Sequence, residues 1–206
     1  MIDCGPDFRQ QMLGQEFKKI DAVLLTHVHY DHVGGIDDLR PFCAFGRIDI
    51  YSDFKTSERL KCSIPYCFGE NKYPGVPNIR LNVIKPHQLL HIGGIDVMPV
   101  QVMHDKLPIL GYRLGDLMYI TDMKTIGDNE LEYFHGVKVL VVNALRFTPE
   151  HHSHLTVGQA VAFAKKVGAE HTFFTHMGHD IGLHDDVNKM LPNGIKLAYD
   201  GQIIDF

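Results

Sequence analysis

The segment Thr26-His27-Val28-His29-Tyr30-Asp31-His32-Val33-Gly34-Gly35 constrains this chain more than any other. It is an H-x-H-x-D-H run at the end of an apolar stretch, Ala22-Val23-Leu24-Leu25. Three imidazoles and a carboxylate within six residues are metal-ligand chemistry, suited to zinc, manganese or iron. Histidine makes up 14 of the 206 residues, and at the frequencies of His and Asp an accidental match anywhere has a chance of roughly half a percent. A fold that uses such a run brings it on a buried strand to a tight, glycine-ended loop. In extended backbone His27 and His29 point to the same side. Asp31 and His32 follow where the chain turns, so they can face a second point in space. That geometry suits two adjacent ions better than one, since a single tetrahedral site needs only three protein ligands plus water.

The length allows one domain, residues 1–206, with a sizeable core, and its 45% hydrophobic content is that of an ordinary globule. No apolar stretch approaches membrane-spanning length and no signal peptide is read ahead of the first strand, so a cytoplasmic location is expected. The net charge of −5 gives no broad basic face, which argues against a large nucleic-acid partner. Cys4, Cys43, Cys62 and Cys67 show no C-x-x-C spacing and read as reduced thiols.

Strand-like apolar runs recur at Ile20–Thr26, Ile48–Tyr51, Ile79–Ile84, Ile95–Met103, Leu117–Thr121, Val137–Ala144, His171–Thr175 and Ile195–Tyr199. Helical patterns fall at Asp7–Phe17, Asp37–Phe45, Thr156–Val167 and Leu183–Leu191, the third opened by the capping-box sequence Thr156-Val157-Gly158-Gln159. The mixed order predicts a layered α/β fold with a mixed sheet, or two sheets flanked by helices. The stretch Lys61–Pro77 lacks periodicity and reads as a long ordered loop. Met1-Ile2-Asp3 reads as the last part of a strand, and a domain starting there is expected to leave a sheet edge that invites a homodimer.

Further ligands are sought at strand ends, where binding groups gather in α/β sheets. His104 follows Val97–Met103, Asp122 follows Leu117–Thr121, and His176 follows His171–Thr175. A carboxylate such as Asp122 can bridge two cations with its two oxygens.

This set resembles the metallo-β-lactamase superfamily. Ile2-Asp3-Cys4-Gly5-Pro6-Asp7-Phe8-Arg9, His104-Asp105-Lys106-Leu107 with Gly111-Tyr112, Thr121-Asp122, Phe174-Thr175-His176-Met177-Gly178-His179 and Ala198-Tyr199-Asp200-Gly201 are similar to the cyclic-phosphate phosphodiesterase branch. They are more distantly similar to ribonuclease Z. The resemblance implies an α/β fold of the αββα sandwich type, here without the N-terminal strands of relatives. It implies His27, His29 and His104 on one metal, Asp31, His32 and His176 on a second, and Asp122 between them. The two divalent ions would be zinc or manganese, with nickel or iron as alternatives. Asp31 and His154 are the catalytic candidates, with His154, in Ser153-His154-Leu155-Thr156, matching a position that contacts the substrate phosphate and serves as general acid.

His151 and His152 read as surface residues, His179 as lining the site or solvated, and His87, His91, His135, His171 and His184 as structural. Relatives also carry a cysteine-based structural zinc site or a basic tRNA-gripping arm, and neither is found in this sequence. The function expected is therefore metal-dependent hydrolysis of small, cyclic phosphodiesters by water activated between two metals. A thioesterase or lactonase on the same scaffold, or an inactive metal-binding remnant, is the alternative.

Overall fold

The structure is a computed structural model that describes residues 1–69 and 72–206. Among these residues ten strands form two sheets, one in each of two units: residues 1–88 with 92–94, and residues 89–91 with 95–206.

The first unit carries a parallel sheet of β1 (Ala22–Leu24), β2 (Ile48–Ser52) and β3 (Ile79–Val83). Met1–Asp3 runs alongside β1, with Ile2 bridged in parallel to Leu24. All three residues of β1 are buried, which explains the unbroken apolar run in the sequence. Val23, Leu25, Ile48 and Ile50 pack with Leu39, Phe8, Phe42 and Leu60 from the segments flanking the sheet. The helix expected at Asp7–Phe17 is shorter, α1 (Phe8–Leu13), and stops at Gly14. The one expected at Asp37–Phe45 is a 3-10 helix, Ile36–Phe45, with Pro41 inside it. That proline has no N–H to donate into an α-helical ladder. The short α2 (Tyr30–Val33) carries Asp31 and His32.

The stretch expected as a loop at Lys61–Pro77 instead begins as the end of α3 (Phe54–Ser63), followed by a 3-10 turn at Pro65–Cys67. Asp53 caps that helix by accepting from the Thr56 amide at 3.0 Å and the Thr56 hydroxyl at 2.8 Å. Residues 70 and 71 of the stretch lie outside those described.

The second unit holds a seven-stranded sheet in the order β10-β9-β8-β7-β6-β5-β4. Its strands are β4 (Leu90–Ile92), β5 (Ile95–His104), β6 (Leu107–Leu114), β7 (Leu117–Tyr119), β8 (Val139–Asn143), β9 (His171–Thr175) and β10 (Ile195–Leu197). β7 to β10 run parallel, while β6 is antiparallel to both β5 and β7. β5 therefore runs in the direction of β7, β8 and β9, and the C-terminal ends of all four lie along one margin of the sheet. That margin carries the chemistry described below.

β8 leads into α4 (Val157–Val167), and α5 (His184–Met190) joins β9 to β10. α4 starts where the sequence predicts. The Thr156 hydroxyl accepts from the Gln159 amide, the Gln159 side chain accepts from the Thr156 amide, and Gly168 closes the helix in left-handed conformation. Its Val157, Ala160 and Ala164 lie in the core with Leu140, Val142 and Phe174. No helix among the described residues is long and apolar enough to cross a membrane.

Candidate metal centre

In the first unit, β1 delivers the chain to the H-x-H-x-D-H run. His27 Nε2 lies 2.9 Å from His29 Nδ1, so the two rings do point to one side, as the extended spacing requires. His27 is buried and His29 exposed. At the turn that follows, His32 Nε2 is 3.2 Å from Asp31 Oδ2.

Behind these residues stands Asp3, which sequence reasoning did not single out as a site residue. Its Oδ1 accepts the Thr26 amide at 2.8 Å. Its Oδ2 takes the Thr26 hydroxyl at 2.8 Å and meets His32 Nδ1 at 2.7 Å. With Nδ1–H given to a carboxylate, His32 presents the lone pair of Nε2, the tautomer a metal-binding histidine needs. The Thr26 hydroxyl also lies 3.0 Å from His27 Nδ1, so one carboxylate organises two rings. Burial holds the Asp3 carboxyl above its ordinary pKa, against the pull of these hydrogen bonds.

In the second unit, His104 ends β5, Asp122 follows β7, His154 stands between β8 and α4, and His176 follows β9. His104 is buried, and its Nδ1 faces the carbonyl oxygens of Asp122 at 2.8 Å and Ser153 at 3.0 Å. Both partners are acceptors, so Nδ1 carries the proton and Nε2 the lone pair. Burial pushes the His104 pKa below its ordinary value, which favours the neutral ring.

The Asp122 carboxylate divides its oxygens. Oδ1 accepts from Thr121 Oγ1 at 2.6 Å and lies 3.1 Å from His176 Nε2, while Oδ2 lies 3.5 Å from His154 Nε2. His154 stacks on His176, with ring centroids 4.9 Å apart, and meets His104 edge-on at 4.7 Å. The peptide after Asp122 is held by Asn143, whose buried amide exchanges two hydrogen bonds with Met123 at 2.8 and 3.0 Å. Asn143 also went unnoticed in the sequence; a strand-end Asn after a β-rich run was its only signal.

Asp3, Asp122 and His176 all have φ near +54°, at 53°, 54° and 55°. Residues other than glycine rarely adopt this left-handed conformation, at a cost of roughly 1–2 kcal/mol. Here it turns the chain at each strand end and aims a carboxylate or imidazole away from the strand's own alternation.

All seven expected ligands thus stand in His/Asp clusters of metal-holding composition. The first unit groups His27, His29, Asp31 and His32, and the second groups His104, Asp122 and His176 with His154. The donor chemistry fits divalent metal ions: carbonyl or carboxylate partners fix the tautomers of His32 and His104, and the carboxylates are acceptor-only. His152 is exposed, as expected, but His151 is half-buried and bonded into the His154 loop, a correction to its reading as a surface residue.

The two-sheet architecture and the clusters define a metallo-β-lactamase-fold domain. The chain belongs to the beta-lactamase superfamily, whose domain pattern matches residues 1–177. A crystal structure described as a new diphosphatase from the PhnP family superposes with a TM-score of 0.90 at 37% identity, covering 100% of this chain and 79% of that one. An octanoyltransferase of Porphyromonas gingivalis is 39% identical over 201 residues, which are 98% of this chain and 41% of that protein. A ribonuclease Z of Acaryochloris marina is 28% identical over 122 residues, 56% of this chain and 37% of that enzyme. The chain spans 36% to 41% of the length of the octanoyltransferase and of three ribonucleases Z.

Proposed function

We propose that the chain is a binuclear metal-dependent phosphodiesterase acting on small, cyclic phosphodiesters. The observation that carries this reading is His154. Its Nε2 is buried and makes no hydrogen bond, and it points into the cluster of His104, Asp122 and His176. Its other nitrogen is engaged by Ser153 and His151. A ring held this way beside metal-ligand chemistry is placed to meet a phosphoryl group or a leaving oxygen. The 37% identical diphosphatase adds support for phosphoryl chemistry.

In this reading His27, His29 and His104 would hold one ion and Asp31, His32 and His176 the other, with Asp122 serving both. Divalent ions bound there supply charge neutralisation for phosphoryl oxygens and lower the pKa of bound water to about 7. Water oxygen forms the new bond to phosphorus and releases a proton, the bond to the leaving oxygen breaks, and that oxygen takes the Nε2 proton of His154, which the proton released by water restores. Asp3 and Thr26 keep His27 and His32 oriented throughout. Burial favours the neutral His104 ring, and the two carbonyls keep its proton on Nδ1.

A second reading, hydrolysis of an acyl thioester, is favoured by the octanoyltransferase relative. That protein's name describes a chain of which this one spans 41%. Assays of the manganese-loaded chain on a cyclic phosphodiester and on an octanoyl thioester separate the two. Turnover of the phosphodiester is expected, with His154→Ala lowering it by about a hundredfold or more. That deficit is expected to shrink on bis-p-nitrophenyl phosphate, whose leaving group needs little protonation. Turnover of the thioester alone, unchanged in His154→Ala, would replace the first reading with the second.

A further inference from the structure

The loop between β8 and α4 holds a histidine pair whose second member is outside the proposed ligand set and has no assigned task. His151 Nδ1 takes the Ser153 backbone amide at 3.3 Å. A backbone N–H only donates, so this nitrogen is an acceptor and carries no proton. His154 Nδ1 lies 3.0 Å from the same atom. Two ring nitrogens that close share one proton, and with His151 Nδ1 bare the proton sits on His154. The Ser153 hydroxyl is 3.1 Å from each nitrogen, placed to accept from one and donate to the other.

The loop itself is pinned. Lys124 Nζ reaches Glu150 Oε1 at 2.8 Å, the His154 carbonyl at 3.3 Å and Gln159 Oε1 at 3.2 Å. The Gln159 amide group also donates to Glu150 Oε1 at 2.8 Å. One cation thus ties the residue before His151, the backbone of His154 and the first turn of α4 together.

We infer that His151 is a positioning residue for His154: it accepts the Nδ1 proton and so fixes which ring nitrogen faces Asp122. The consequence for catalysis rests on the phosphodiesterase reading, whereas the tautomer does not. With Nδ1–H given to His151, neutral His154 shows a lone pair at Nε2. After protonation it shows Nε2–H, with the positive charge supported by the bare nitrogen behind it. Nδ1–H is present in both states, so the ring gives and regains its Nε2 proton without turning. A carboxylate does the same work behind the histidine of a serine hydrolase; here a second imidazole stands in its place.

The test joins a spectroscopic and a kinetic readout on the zinc-loaded full chain. Nitrogen-15 spectra of the histidine side chains report which nitrogen carries the proton. Neutral His154 is expected as the Nδ1–H tautomer and His151 as the Nε2–H tautomer. In His151→Ala, His154 is expected to populate both tautomers, and in His151→Asn, whose side-chain oxygen can accept, to return to Nδ1–H. On a phosphodiester with a poor leaving group, His151→Ala is expected to lower kcat by roughly ten- to hundredfold. KM should stay within about twofold, His151→Asn should recover most of the loss, and a p-nitrophenyl leaving group should erase much of it. An Nε2–H tautomer of His154 in the unmodified chain would overturn the inference. So would His151→Ala with both tautomer and kcat unchanged. If no phosphodiester is turned over, the spectra still decide the positioning role while the functional reading alone falls.

Discussion

Asp3 holds two histidines through one carboxylate, directly at His32 and through Thr26 at His27. Removing such a partner usually costs ten- to a hundredfold in metal affinity, because the ligand ring loses its tautomer and orientation. Asp3→Ala is therefore expected to weaken metal binding by roughly ten- to a hundredfold, measured by competition against a chromophoric chelator, and unchanged affinity would remove Asp3 from the account. Its neighbour Cys4 behaves differently. Burial, with the charges of Asp38 and Asp3, pushes the Cys4 thiol up to about 12. A thiol with that pKa stays protonated and inert at ordinary pH. Iodoacetamide at pH 8 is expected to label the exposed Cys62 and spare Cys4 in the folded chain, as read by peptide mass spectrometry. The ligand histidines were legible because their chemistry repeats within a few positions of one another. Asp3 was not, because the residues it serves lie 23 and 29 positions away and only the folded backbone joins them. His151 was misread for a related reason. A histidine beside two others in a polar stretch looks solvated until the Ser153 amide is seen to close onto it.

Close backbone approach, rather than side-chain packing, seats the α2 turn. The Cys4 amide donates to the His32 carbonyl at 2.7 Å, and the Gly35 amide donates to the Cys4 carbonyl at 2.9 Å. A Cβ on Gly35 would sit 2.2 Å from the Gly5 carbonyl oxygen and 2.8 Å from Phe8 Cβ, and one on Gly5 would sit 2.4 Å from the Asp31 carbonyl oxygen. Backbone atoms cannot yield as a flexible side chain does. Gly35→Ala is accordingly expected to cost at least about 2 kcal/mol by urea unfolding and to lower metal content. A stable, fully loaded variant would show that the turn tolerates displacement. At this scale the strands that end in ligands were readable from apolar runs alone, and α4 from its capping box. β6 was not, because Pro108 and Gly111 both argue against a strand. In the fold Gly111 lies under Ile120 and against Val100, where a Cβ would crowd both, so the glycine answers to packing. α3 was missed because its buried residues, Thr56, Ser57 and Leu60, are mostly polar and leave no apolar stripe.

At the scale of the whole molecule the chain divides its proposed ligands four and three. His27, His29, Asp31 and His32 fall in the first unit and His104, Asp122 and His176 in the second. The sequence reading took residues 1–206 as one domain and did not foresee these units, but its ligand pattern sufficed to place the chain in its superfamily. Substrate was less legible, since the ligand motifs mark the superfamily and not what it acts on. The proposed function requires two ions per chain for phosphodiester hydrolysis. The most direct measurement titrates the metal-free chain with manganese, at protein concentrations well above the Kd, while following turnover of bis-p-nitrophenyl phosphate. Turnover is expected to rise until about two equivalents per chain are bound and to reach its plateau there. A plateau at one equivalent, or no turnover with two bound, would rule out a two-metal phosphodiesterase.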